Sequence, residues 1–151
     1  MTPYRFRLAR VLDWYRKQSQ VEEERLRLCA ERAVQSRAEI EDHERNVLAR
    51  QMELIRSSRP RAHELASLEP FRRGAKQQEV RLRQNCRKND QELDRQRCIA
   101  QEAQRRVRLV ENLRDRRLAE YQYEADRELE ELATESHLAG FARAITGKLT
   151  S

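Results

Sequence analysis

The sequence has few of the residues that make turns. Only three of its 151 residues are glycine and three are proline, so the two types together contribute about 4% where roughly 12% is usual. A sheet of many strands needs turns between neighbouring strands, and this chain has too few turn formers to supply them. The composition therefore argues against all-β and α/β folds.

Cysteine and long apolar runs are scarce as well. Cys29, Cys86 and Cys98 are an odd number at wide spacing, which fits neither a disulfide framework nor a CxxC metal or redox motif. There is no run of 18 apolar residues, and arginines interrupt the N-terminal segment where a signal peptide is apolar. We therefore expect a soluble, cytoplasmic protein with no direct insertion into a membrane.

What the chain does contain favours long helices. Ala, Glu, Lys, Leu and Arg account for 85 residues, about 56% of the chain, which is typical of coiled coils. Leu, Ile, Val and Phe account for only 31 residues, about 21%, so a thick core is unavailable. This composition is enough to bury a narrow stripe between two helices.

The first predicted helix spans about residues 5–58, because residues 5–56 contain neither proline nor glycine. Its apolar positions recur at alternating steps of three and four, the spacing of a coiled-coil seam. The seam positions are Leu12, Tyr15, Ser19, Glu22, Leu26, Cys29, Ala33, Ser36, Ile40, His43, Val47, Arg50 and Leu54. Several of them are small or polar, so the seam is thin.

Two prolines then predict a reversal of the chain. Pro60 ends the first helix near Ser58, and a tip segment of about residues 59–70 leads to a second helix of about 71–138 and a flexible tail, 139–151. The second seam passes from Val110 through Arg114 to Leu118 in two steps of four, a stutter that unwinds the supercoil locally. Its positions are Leu82, Cys86, Asn89, Leu93, Gln96, Ala100, Ala103, Val107, Val110, Leu118, Tyr121, Ala125, Leu129 and Leu132. We expect one all-α domain, a long antiparallel two-helix coiled-coil hairpin with unequal arms and a short Pro-containing tip.

No catalytic motif accompanies this fold. Gly74, Gly140 and Gly147 stand in no phosphate-binding loop, and the three histidines share no helix face that would suit a zinc site. A thin rod offers no cleft that would shift the pKa of a catalytic carboxyl group. We expect a protein that is not an enzyme and binds no metal or cofactor.

Three stretches have the composition of recognition surfaces, because each combines aromatic or apolar bulk with arginine. The alternative for the first is that it only thickens the open end of the hairpin, and for the second that its Phe only plugs the tip. The stretches are Phe6 to Tyr15, with Val11 and the only Trp, Trp14; Leu65 to Arg73, with Leu68, Phe71, Arg72 and Arg73; and Arg114, Arg116 and Arg117, followed by Tyr121.

The order of motifs resembles the FliJ family of flagellar type III export proteins. The start, Phe6-Arg7-Leu8 with Val11-Leu12, is similar to the FxLxxVL opening of that family. Residues 111–117, Tyr121 and the acidic run 128–133 are similar to its closing stretch. The resemblance covers nearly the whole length of the chain.

The resemblance implies a cytoplasmic stalk component, held at the cytoplasmic face of the inner membrane through its partners in a flagellar or virulence secretion system. Family members bind the hexameric export ATPase, the export-gate membrane protein and substrate chaperones. The implied ATPase-binding residues at the open end are Arg5, Phe6, Arg7, Arg10, Val11, Trp14, Arg114, Arg116, Arg117 and Tyr121. The implied gate-binding residues at the tip are Leu68, Phe71, Arg72 and Arg73, although Ala75 stands where the family often has Leu.

Two other classes of protein fit the residues alone. A general coiled-coil scaffold or holdase chaperone would bind partners along its exposed faces. A nucleic-acid binder would use the net charge of +6 and the arginine-rich residues 105–117, but carboxylates interrupt these arginines and no reading motif accompanies them. We therefore do not expect nucleic acid to be the main partner.

Overall fold

The protein consists of two long α-helices that pack against each other as a hairpin. The structure, a computed structural model, describes residues 3–56 and 61–149, and for residues 144 and 146–149 it describes the backbone alone. Helix α1 is Ala9–Arg56, with 48 residues, and helix α2 is Ala62–Leu149, with 88 residues. The predicted all-α two-helix hairpin with unequal arms is confirmed.

The predicted seam of α1 is the face that packs against α2. Every seam position from Leu12 to Val47 is buried or half-buried. The most buried side chains are small, with Ala33 only 1% exposed and Ser36 only 2% exposed. Small side chains at the contact let two helices approach closely, and Leu12 and Leu93, 3% and 6% exposed, are the bulky apolar groups buried in the seam.

The seam of α2 also follows the predicted phase. Its positions from Leu82 to Ala125 are all buried or half-buried, and they include Arg114, at which the stutter was expected. No described side-chain polar atom in the buried part of the structure lacks a hydrogen-bond partner. The polar seam positions are therefore satisfied rather than strained.

The chain divides into two compact units, where the sequence predicted one domain. Unit 1 comprises Met1–Arg16 and Arg105–Ser151, and unit 2 comprises Lys17–Gln104. Both units hold α1 to α2 with polar pairs on one flank of the seam. These pairs are Arg16 with Glu111 at 2.7 Å in unit 1 and, in unit 2, Gln104 with Glu23 at 2.9 Å, Arg37 with Asp90 at 2.7 Å and Arg83 with Glu44 at 2.9 Å.

A buried polar contact fixes the register inside unit 2. The Gln96 Nε2 atom donates hydrogen bonds to the Glu22 carboxylate at 2.6 Å and to the Glu22 backbone oxygen at 3.3 Å. Gln96 is only 6% exposed, so a shifted register would leave its amide without these partners in a dry environment. A polar seam residue of this kind selects one alignment of the helices.

The first helix starts later than predicted. The sequence placed its start near residue 5, whereas α1 begins at Ala9, and residues 3–6 have no regular secondary structure. Tyr4 and Phe6 are half-buried while their neighbours Arg5 and Arg7 are exposed. This alternation buries two aromatic rings on the same side, which a helical turn with its period of 3.6 would not allow.

The second helix starts earlier than predicted. It begins at Ala62 rather than near Phe71, because the Glu64 carboxylate accepts a hydrogen bond from the Arg61 backbone N–H at 3.0 Å and caps the first turn. Pro70 lies inside the helix, where its missing N–H leaves the carbonyl of the exposed Ala66 to solvent. The predicted helix end at Ser58 and residues 59 and 60 of the expected tip lie outside the described residues.

The second helix also ends later than predicted. It continues past Leu138 to Leu149, through the segment expected to be a flexible tail. Gly140 and Gly147 do not end it, because no described glycine has the positive φ of a left-handed helix cap. A glycine in the right-handed conformation only weakens a helix, by about 1 kcal/mol relative to alanine.

Replacing Gly74 by Ala tests the helical state of this glycine. An added Cβ at Gly74 meets no heavy atom within 4 Å, so the change G74A should raise the free energy of unfolding by about 0.5–1 kcal/mol. Urea denaturation followed by circular dichroism measures this effect. Gly140→Ala, equally free of contacts, is the matched control: it should increase helicity without moving the midpoint, since residues 126–143 are exposed throughout. A lower midpoint for G74A would contradict the assignment.

Candidate functional site

The segment before α1 docks onto α2 through one tyrosine. The rings of Tyr4 and Tyr121 lie 5.5 Å apart between centroids, tilted by 47°. The Tyr4 hydroxyl donates a hydrogen bond to the backbone oxygen of Arg114 at 3.2 Å. These two contacts hold the start of the chain against the stutter in α2.

This docking gathers many of the residues that the sequence singled out at the open end. We call them the terminal cluster: Tyr4, Arg5, Phe6, Arg7, Arg114, Arg117 and Tyr121. Between the segment and α2 lies an open groove of about 760 Å³, whose lining includes Phe6, Leu8 and Leu113. The structure thus brings residues that are 110 apart in sequence onto one surface, while their role in binding stays a prediction.

The arginines of this region fall into two classes. Arg114 is half-buried and its guanidinium is bound to Asp115 at 2.8 Å, a hydrogen bond that raises the pKa of Arg114 above its usual value. Arg117 pairs with Glu120 at 2.9 Å. A third arginine of the stretch, Arg116, is exposed, as are Arg5, Arg7 and Arg10, and none of these four forms an ion pair within the described part of the chain. These four, together with the exposed Arg105 and Arg108, are available to meet an acidic partner.

Val11 and Trp14 lie on the flank opposite to the Arg16–Glu111 ion pair. Trp14 is 55% exposed, and its ring lies edge-to-face against that of Tyr15, at 5.1 Å between centroids. On α2, Leu109 and Leu113 are also exposed. Each of the four lies two or five residues from the member of that ion pair on its own helix, which corresponds to a rotation of about 140–160° around the helix.

We call this set the apolar flank: Val11, Trp14, Leu109 and Leu113. Val11 and Trp14 were predicted as binding residues, whereas Leu109 and Leu113 were missed. The sequence contained a signal for these two residues, because both leucines fall outside the seam of α2 that begins at Leu82. An apolar residue outside the seam of a two-helix hairpin has no helix of its own chain to cover it.

The predicted tip residues lie in unit 2. Leu68 and Phe71 are half-buried, Arg72 is exposed, and Arg73 makes a long ion pair with Glu69 at 3.7 Å. The Arg50 guanidinium lies over the Phe71 ring, 5.4 Å from its centroid. Arg50 was predicted as a polar seam position, but it is exposed, and its cation lies over the aromatic face of Phe71 instead of in the buried seam.

A shallow groove opens beside Phe71. Its volume is about 360 Å³, and its lining includes Val47, Gly74 and Ala75. His43 lies at its edge, with Nε2 placed 2.9 Å from the backbone oxygen of Ala75. We call it the Phe71 groove; it offers an aromatic ring and an arginine to a partner, the combination found at interface hot spots.

The chain was compared with protein families, curated proteins and solved structures. No family model, no curated protein and no solved structure matches the chain. Across the described residues, no helix is both long enough and apolar enough to cross a membrane.

Replacing Tyr4 by Ala should release the segment before α1. The change removes the ring contact and the hydrogen bond, each worth about 1 kcal/mol, so trypsin should cleave after Arg5 and Arg7 about tenfold faster or more. Limited proteolysis followed by mass spectrometry measures the rates. Tyr123→Ala, at an exposed tyrosine of the same helix, is the control and should leave them unchanged. Equal rates in Y4A and the parent protein would show that Tyr4 does not anchor the segment.

Proposed function

We propose that the chain is a non-enzymatic stalk component of a flagellar or related type III protein export apparatus. In this role it binds the hexameric export ATPase through the terminal cluster and the apolar flank, and promotes assembly or activity of the ATPase. It links that ATPase to the membrane export gate and to substrate chaperones. It works in the cytoplasm, held at the inner membrane through these partners.

The observation that carries the proposal is the composition of the surface where both ends of the hairpin meet. Residues 3–16 and 105–117 contain ten arginines and three carboxylates, and the six of these arginines that form no ion pair within the described residues point to an acidic partner. The apolar flank next to them exposes a tryptophan and two leucines. Exposed aromatic and aliphatic groups surrounded by arginines are typical of protein interfaces.

The terminal cluster also suits a partner that surrounds it. The Tyr4 segment covers part of α2 while Val11 and Trp14 face another side of α1, so binding groups are spread around the helix pair. A ring with acidic loops on its inner wall would contact several of these groups at once. A partner with a single flat face would leave part of them in water.

The Phe71 groove is the surface that we assign to the export gate. It is separate in sequence from the terminal cluster, and its arginine stands over an aromatic ring. Ala75 lines this groove, and its small side chain leaves space for a partner side chain next to Phe71. This arrangement supports a binding role for Phe71 beyond closing the end of the seam.

Reversing the charge of Arg114, Arg116 and Arg117 tests the ATPase contact. The triple change to Glu should weaken binding to the cognate export ATPase about 100-fold or more, because it replaces attraction to acidic loops by repulsion. Arg116→Glu alone should account for most of the loss, since the other two arginines are held by Asp115 and Glu120. Titration by surface plasmon resonance at two salt concentrations measures both effects.

A triple substitution that changes the net charge by the same amount, but at a different surface, is the control. Arg81, Arg87 and Lys88 are exposed in unit 2, and changing all three to Glu should leave ATPase affinity within about twofold. The same preparations distinguish the stalk from a general scaffold or holdase, because only a stalk raises hexamer formation or ATP hydrolysis. If the parent protein binds the ATPase but changes neither, the scaffold function is the correct one.

Replacing Phe71 by Ala tests the gate contact. The change removes the aromatic group and its arginine contact, so affinity for the cytoplasmic domain of the export-gate protein should fall about tenfold or more. ATPase binding should be unchanged, which separates this defect from unfolding. Ile99→Ala, at an exposed apolar residue of the same helix, is the control. Unchanged gate affinity in F71A would remove Phe71 from the interface.

A further inference from the structure

The seam face of α2 continues beyond the part that the rest of the chain covers. Leu118, Tyr121 and Ala125 are half-buried in the seam phase. Leu129 and Leu132 follow at steps of four and three, yet they are 63% and 61% exposed. We call these two leucines the overhang stripe; they repeat the spacing of an interface but have no helix against them.

A row of carboxylates runs beside the overhang stripe. Its members, Glu124, Glu128, Glu131 and Glu135, also follow steps of four, three and four, which places them within about 60° of one another around the helix. Glu131 pairs with Arg127 at 2.9 Å, and the other three form no ion pair within the described residues. We call them the acidic row.

The acidic row destabilises this segment of α2 when no partner covers it. Glu124 with Glu128, and Glu131 with Glu135, are like charges four residues apart, and such pairs destabilise a helix. Residues 118–138 as a whole contain seven carboxylates and one arginine. A cationic group beside the row would remove this repulsion, while an apolar group on the stripe would bury the two leucines.

The negative charge of the acidic row decides which kind of helix could cover the overhang stripe. The same segment of a second copy would place seven carboxylates against seven, in either direction, and is disfavoured by repulsion. The N-terminal segment of this chain is already held at Tyr121 by Tyr4. What remains is a helix with leucine-like residues on one stripe and lysine or arginine beside it.

We propose that the overhang stripe and the acidic row form a binding site for a basic amphipathic helix of a partner protein. This helix would lie along the seam face of α2 where α1 does not reach, and so continue the existing interface. The site is distinct from the proposed ATPase contact, in which arginines meet acidic loops. Its partner must carry the opposite charge.

The test uses a defined peptide probe. A labelled peptide of about 20 residues, with leucines at steps of three and four and lysine elsewhere, is long enough to form a helix on binding. It should bind the full chain, raise the amide protection of residues 126–138 in hydrogen exchange, and bind more weakly at higher salt. The matched peptide with glutamate in place of lysine should not bind.

Two double variants separate this site from general attraction to an acidic helix. L129A/L132A should weaken binding of the lysine peptide about tenfold or more. L138A/F141A keeps the charge and removes equally exposed apolar groups from the opposite face of α2, so it should bind like the parent protein. All four changes are at exposed positions, and thermal denaturation should show the same unfolding midpoint in each variant.

Three results would overturn the proposal. Equal loss of binding in both double variants would reduce the effect to non-specific attraction. Equal binding of the lysine and glutamate peptides would remove the role of the acidic row. Sedimentation that shows a dimer dispersed by L129A/L132A would assign the stripe to a second copy. None of them bears on the ATPase contact, which is tested by Arg116 and its neighbours.

Discussion

The fold depends on close approach of two helices along a seam that has little apolar bulk. Ala33 and Ser36 allow α1 and α2 to come near each other, and the Gln96–Glu22 contact permits only one alignment. A thin seam of this kind buries little area, so it contributes little stability for each residue that it orders. Polar pairs on one flank, such as Arg37 with Asp90 in unit 2, add specificity of register more than energy.

This constraint explains why the surface of unit 1 is uneven. A two-helix pair buries only one stripe on each helix, so any further apolar residue must remain exposed. The flank that holds the Arg16–Glu111 pair is polar, and the opposite flank exposes Trp14 and Leu109. A globular domain would bury such residues in its core, whereas here they are available only to another molecule.

The periodic part of the fold could be predicted from the sequence, and the ends of its helices could not. Steps of three and four identified the seam and the stutter at Arg114, because burial in a helix pair follows that period. The start of α2 is capped by a side-chain contact of Glu64 with the backbone of Arg61, and the helix passes through Pro70, near which the sequence predicted that it would begin. The contact of Tyr4 with Tyr121 joins residues far apart in sequence, and no local pattern indicates such a pair.

The charge distribution gives the two candidate surfaces of unit 1 opposite preferences. Arg5, Arg7, Arg10 and Arg116 attract acidic groups, while the acidic row further along α2 attracts cationic ones. A partner that neutralises the charge of one surface would leave the charge of the other surface unchanged or be repelled by it. The reason is that positive and negative side chains occur on the same helix within a few turns. Unit 1 therefore presents two surfaces of opposite charge, each of which would attract a partner of the other sign. The proposed stalk role requires two such separate contacts.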